Sequence, residues 1–93
     1  MAIVFTILYH PKVVTDDISA LPVVLKGRIR SAIEEKLTIA PESFGKPLRQ
    51  SLAGYRKLRV GDYRVVFRIE QDTVYILAIL HRSIVYKDTA RRI

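Results

Sequence analysis

The chain has 93 residues, with 16 Lys plus Arg against 9 Asp plus Glu, a formal charge of +7. A 49% hydrophobic content is too apolar for a disordered segment, and this length predicts one domain over residues 1–93. The absence of cysteine excludes a disulfide scaffold, a Cys-based zinc site and a thiol nucleophile.

Residues 1–45 hold five basic and five acidic side chains and are neutral; residues 46–93 hold the other eleven basic and four acidic. The whole excess therefore lies in the second half. That is the electrostatic footprint expected of a domain with a polyanionic partner, for which nucleic acid is the commonest candidate.

In chain order, the apolar start lacks the basic n-region and cleavage site of a leader, and reads as a strand, Ile3–Tyr9. Pro11 then opens a short helix over 11–20, with Asp16 and Asp17 on its exposed side. A longer helix follows Pro22, with Leu21, Leu25, Ile29, Ile33 and Leu37 at i, i+4 spacing, joined by Val24 and Ala32. Two prolines and a glycine make 40–47 a loop. Tyr55–Val60, Tyr63–Ile69 and Thr73–His81 read as three strands at hairpin spacing, an antiparallel meander. Asp88–Ile93 forms a last turn or helix that frays, with Arg91 and Arg92 solvated.

The fold class is therefore α+β. An N-terminal strand, a two-helix hairpin and a three-stranded antiparallel meander share one mixed sheet, and a short C-terminal helix closes the chain. The longest apolar run, Val74–Leu80, is too short to span a membrane, so the expectation is a soluble, cytoplasmic protein.

Strand parity sorts the cations. Arg56, Leu58 and Val60 share one side of their strand; Tyr55, Lys57 and Arg59 share the other. With Tyr63, Val65, Phe67 and Ile69 facing the helices, Arg64 and Arg68 face outward. Lys57, Arg59, Arg64 and Tyr55 would then form a shallow cationic surface suited to single-stranded RNA. Each residue also has a plainer reading. Tyr63 belongs to the core or the strand pairing, Tyr86 anchors the C-terminal segment, and Arg64 pairs with Asp62 or Glu70. His81 and His10 do not form a metal pair, and nothing in the chain supplies a ligand set, so no metal or cofactor is implied.

Gly54–Glu70 (GYRKLRVGDYRVVFRIE), Val74–Lys87 (VYILAILHRSIVYK) and the entry Lys46-Pro-Leu closely resemble the RelE/ParE toxin superfamily of bacterial type II toxin–antitoxin systems, and its RelE branch in particular. That resemblance implies a ribosome-dependent mRNA endoribonuclease acting in the ribosomal A site and sequestered by a cognate antitoxin, a complex that in turn reaches operator DNA. Alternatives within the superfamily are a ParE-like gyrase poison, or an inactive relative that serves as a co-repressor. By resemblance, Arg64 matches the arginine that stabilises transition-state charge, Lys57 a phosphate-neutralising lysine, and Tyr86 a tyrosine acting as general base or stacking residue. Arg82 maps to a C-terminal arginine acting as electrophile or proton donor. Arg59, Arg68, Tyr55, His81 and Arg56 complete the candidate RNA contacts. A second lysine expected on the Lys57 strand is replaced by Tyr55, and Arg59 is its candidate substitute.

Overall fold

Pro11 decides where the first strand stops, because it offers no N–H to a ladder and presets a helical φ. In the computed structural model, which describes residues 4–93, β1 (Thr6–Tyr9) ends just before it. Ile3, the expected start of that strand, lies outside the described residues. The following helix α1 covers 11–20, with a π-helical middle, Val13–Asp17, and a last turn Ile18–Ala20. Leu21 is extended, and α2 covers 23–37 as Val23–Ala32 continued by a π-helical turn, Ile33–Leu37.

The i, i+4 stripe is the buried seam of this hairpin: Leu21, Ile29, Ile33 and Leu37 are all buried. Val24, expected on that stripe, is instead 76% exposed, because a single helix resting on a sheet buries a narrow line and Val24 falls on its flank.

Residues 40–47, expected as a loop, hold a one-turn helix α3 (Pro41–Phe44) and a two-residue strand β2 (Lys46–Pro47). An edge strand tolerates Pro47, since no donor is required on its outer side. The meander follows as β3 (Arg56–Val60), β4 (Tyr63–Glu70) and β5 (Thr73–His81). Gly61, at φ +60°, turns β3 into β4. The sheet has five strands in the order β1-β5-β4-β3-β2, with β1 parallel to β5 and the other neighbours antiparallel.

Leu58 stands opposite Val65, and Val65 opposite Ile79; these side chains meet the helix hairpin over Phe67, Val74 and Ile76, all at or near zero exposure. A register shift at Val66/Phe67 turns both Leu77 and Ala78 to the opposite face. There the last helix, α4 (Val85–Ala90), starts three residues earlier than expected and covers Val66 and Ala78 with Val85. The outer face is thus capped over β4 and β5, and open only towards β3 and β2.

Asp17 and Arg92, expected in solvent, are buried together. The Arg92 guanidinium donates to both Asp17 carboxylate oxygens at 2.7 Å, with side-chain exposures of 10% and 2%. Asp17 also accepts the Ile79 N–H at 2.9 Å, and Arg92 donates to the Leu77 carbonyl at 3.1 Å. The physical cause is the shortness of β1. Its ladder with β5 ends at Ile76, so the next backbone groups on that side of β5 need partners, and this ion pair supplies them. The hydrogen bond to Asp17 also raises the Arg92 pKa above its ordinary value. The end of the chain is therefore tied to α1 and β5 rather than frayed.

Candidate functional site

The open part of the outer face is built by three strands and α4. Lys57 and Arg59 alternate onto it from β3; Lys46 of β2 stands directly opposite Lys57, and Arg64 of β4 directly opposite Arg59. Like charges placed opposite each other across a sheet repel and weaken it, so this stack favours an anion between its members. The Arg64 guanidinium donates to the carbonyls of Gly61 (3.0 Å) and Tyr63 (2.9 Å). Its expected carboxylate partners are engaged elsewhere, Asp62 by Arg82 and Glu70 by Arg68. Backbone carbonyls orient Arg64 without cancelling its charge. Among the described residues, no carboxylate forms an ion pair with Lys46, Lys57, Arg59 or Arg64.

Helix α4 brings Tyr86 onto this cationic stack. Lys57 Nζ donates to the Tyr86 hydroxyl at 2.8 Å and lies 5.4 Å from the ring centroid, across 29 positions of sequence. Val85, the neighbour of Tyr86, is fully buried against Val66 and Ala78, which fixes the direction in which Tyr86 points. Tyr86 itself is 40% exposed. A cleft of about 450 Å³ opens beside the pair, walled by the 47–52 loop. A second, of about 360 Å³, opens on the other side of Lys57 towards Arg59 and Arg64. An ammonium, a phenol and two guanidinium groups, exposed at Arg59 and Tyr86 and half-buried at Lys57 and Arg64, without internal counterions, suit a phosphodiester and its ribose.

The remaining sequence candidates divide. Arg82 sits at one end of the site, its N–H on the Asp62 carbonyl at 2.8 Å and its side chain 64% exposed with Nε 3.8 Å from the Asp62 carboxylate. Arg68 lies 4.7 Å from the Tyr75 ring centroid and 3.3 Å from Glu70, so its charge is partly spent within the fold. Tyr55 is half-buried in the small cluster under α4 rather than laid open on the sheet. Two candidates belong to the helix face. Arg56 donates to the Gly45 carbonyl at 3.0 Å and clamps the turn into β2. His81 pairs with Tyr63, its ring edge-on at 5.5 Å, while Nδ1 accepts the Ser83 N–H at 3.2 Å.

Sequence reasoning missed Lys46. The lysine absent from β3 is supplied by the neighbouring strand, and only the pairing of β2 with β3 brings it beside Lys57. Lys36, at the end of α2, joins the second cleft and was also unforeseen. Among the described residues, His, Cys, Asp and Glu form no cluster of three or more, and no helix is long and apolar enough to cross a membrane.

Comparison with known proteins identifies the family. The family model described as "ParE toxin of type II toxin-antitoxin system, parDE" matches residues 7–86. Toxin RelG of Mycobacterium tuberculosis is 41% identical over 69 residues, covering 68% of this chain and 79% of the relative. Toxin RelE of the same organism is 36% identical over 73 residues, covering 76% and 75%. The toxin–antitoxin complex RelBE2 from M. tuberculosis contains a chain that superposes with a TM-score of 0.79 at 31% identity, over 87% of this chain and 94% of that one. The RelB–RelE complex from Methanococcus jannaschii gives 0.68 at 25% identity, over 85% and 94%.

Proposed function

The chain belongs to the RelE/ParE superfamily of toxins from type II toxin–antitoxin systems, and on that premise we propose that it is a ribosome-dependent mRNA endoribonuclease held inactive by an antitoxin. The observation that carries this reading is the Lys57–Tyr86 contact at 2.8 Å, beside Lys46, Arg59 and Arg64 on one face.

Cleavage proceeds by attack of a ribose 2′-oxygen on the adjacent phosphorus. The P–O5′ bond breaks, leaving a 2′,3′-cyclic phosphate and a 5′-hydroxyl end. Tyr86 acts as the general base that takes the 2′-hydroxyl proton, and Lys57, which donates to the Tyr86 oxygen, holds it in place. Lys57 and Arg64, with Arg59 beside them, stabilise the added charge on the phosphorane. Arg82, at the exposed end of the site, serves the leaving 5′-oxygen as electrophile or proton donor.

The antitoxin partner is supported by the two similar structures, which are toxin–antitoxin complexes. A 480 Å³ groove between α1 and α2, lined by Val14, Ile18 and Ile33 and flanked by Lys26 and Arg30, suits an amphipathic segment with acidic flanks. The ParE name in the family model's description favours one second reading, the gyrase poisoning without RNA cleavage that the ParE resemblance implies.

Mapping of new mRNA 5′ ends in a bacterial translation extract tests the proposal, with naked mRNA alongside. Codon-related cuts only in the translating sample, lowered about a hundredfold by Lys57→Ala or Tyr86→Phe, are the expected result. No cuts anywhere, together with blocked supercoiling by purified gyrase, would transfer the reading to gyrase.

A further inference from the structure

We propose that the cleft on the far side of Lys57 from Tyr86 is a second RNA subsite, taking one more phosphodiester together with a base stacked on Phe44. The inference rests on the endoribonuclease reading and extends its substrate contact beyond the reacting phosphate. The cleft exists because β2 is only two residues long. Its pairing with β3 covers Arg56 and Lys57 and stops, so the outer edge of β3 from Leu58 onward is bare. The space beside that edge is about 360 Å³, walled by Lys36 from the end of α2, Phe44 from α3, Lys46 from β2, and Lys57, Arg59 and Arg64 from the sheet.

Five of these walls are cations and none is an anion. Their convergence is tertiary: they come from one helix and three strands. None of them ends an ion pair among the described residues. A surface that concentrates five positive charges without internal counterions is held ready for a polyanion.

Phe44 is the second and independent observation. It is 45% exposed, and Lys36 Nζ lies 5.5 Å from its ring centroid. The backbone explains why the ring stays out. Gly45 is packed so closely against Phe67 and the Cβ of Arg56 that the chain has no room for a side chain at that position, which leaves Phe44 on the rim. An exposed aromatic ring beside lysines is the element that single-strand binders use to stack a base whatever its identity, while the lysines hold the backbone. Because Lys57 walls both clefts, a strand with its reacting phosphate at Lys57 and Tyr86 passes directly into this one. An acidic protein segment would use the charges but has no need of the ring.

The test is equilibrium binding of a fluorescent 2′-O-methyl hexanucleotide, which lacks the attacking hydroxyl, to the antitoxin-free full chain over a series of salt concentrations. Phe44→Ala is expected to weaken binding by about fivefold or more, and Phe44→Trp to restore it. Lys46→Gln and Lys36→Gln are each expected to flatten the slope of log K against log salt by about 0.7, the value for one phosphate contact on a single strand. Equal affinity for Phe44→Ala and wild type, with unchanged salt slopes in both lysine variants, overturns the subsite and leaves cleavage at Lys57 and Tyr86 standing. Flattened slopes with no effect at Phe44 overturn the stacking, and with it the subsite as proposed, and leave only phosphate contacts at the lysines. A wild-type chain that cuts no mRNA in the extract defeats the endoribonuclease reading by a separate measurement.

Discussion

Replacement of Asp17 by alanine should be among the costliest single changes in this chain, although sequence patterning sets the residue on an exposed helix face. In the fold, Asp17 accepts two hydrogen bonds from Arg92 and one from the Ile79 N–H. Asp17→Ala leaves a guanidinium of 10% exposure with the Leu77 carbonyl as its remaining partner, and leaves the Ile79 N–H unpaired. Removal of one member of a buried ion pair costs about 3–5 kcal/mol, and an unpaired buried N–H about 1–3 kcal/mol. Partial entry of water into the gap offsets some of this, so we expect a loss of about 4 kcal/mol. For a domain of this length that is a fall in Tm of roughly 20 °C.

Urea unfolding followed by circular dichroism measures it, and the loss should persist in molar salt because the pair is shielded from screening. Arg30→Ala is the control. It removes a surface pair with Glu34 at 3.7 Å, with side chains 79% and 65% exposed, and should cost less than about 0.5 kcal/mol. A loss of less than about 1 kcal/mol for Asp17→Ala would show that the pair does not secure the edge of β5, and the argument from the short β1 would fail.

The other predictions concern the core, pH and the site. Gly45→Ala should cost about 3 kcal/mol in the same assay, because a methyl group there meets the fully buried Phe67 and stands 3.1 Å from Arg56 Cβ; a neutral result would mean that Phe67 is free to move. Tyr9 has its pKa raised by burial first and by Glu34 second, against the opposing pull of Arg30. Its neutral form thus favours the folded state: the contribution is complete below the ordinary value of 10.0 and is lost as pH rises through the folded value. Tyr9→Phe should flatten that alkaline decline in a pH series of unfolding curves, and an identical decline in both proteins would refute the assignment. Arg64→Ala should reduce mRNA cleavage about a hundredfold or more with little change in Tm, since its guanidinium donates only to the backbone carbonyls of Gly61 and Tyr63; a matching loss of stability would make its role structural.

Much of this protein was legible in its residues taken alone. Pro11 and Pro22 mark helix starts, the i, i+4 stripe from Leu21 to Leu37 marks the buried face of α2, and alternation in β3 and β4 sets Lys57, Arg59 and Arg64 on one side. These are local consequences of backbone period and proline geometry, so no tertiary contact is needed to read them. The RelE/ParE membership was legible for a related reason, since its motifs lie in contiguous strands.

What only the tertiary structure decided is which distant residues meet. The lysine missing from β3 is supplied by Lys46 through a two-residue strand within a segment that reads as a loop. Tyr86 reaches Lys57 because Val85 anchors α4 on Val66 and Ala78, while His81 and Arg56 turn to the helix face with their register partners. Asp17 and Arg92, 75 positions apart, lose their solvent because β1 ends four residues into its pairing with β5. Periodicity records which side of its own element a residue occupies. What covers that side depends on long-range pairing, and a buried charge is stable only when another part of the chain arrives to pair with it.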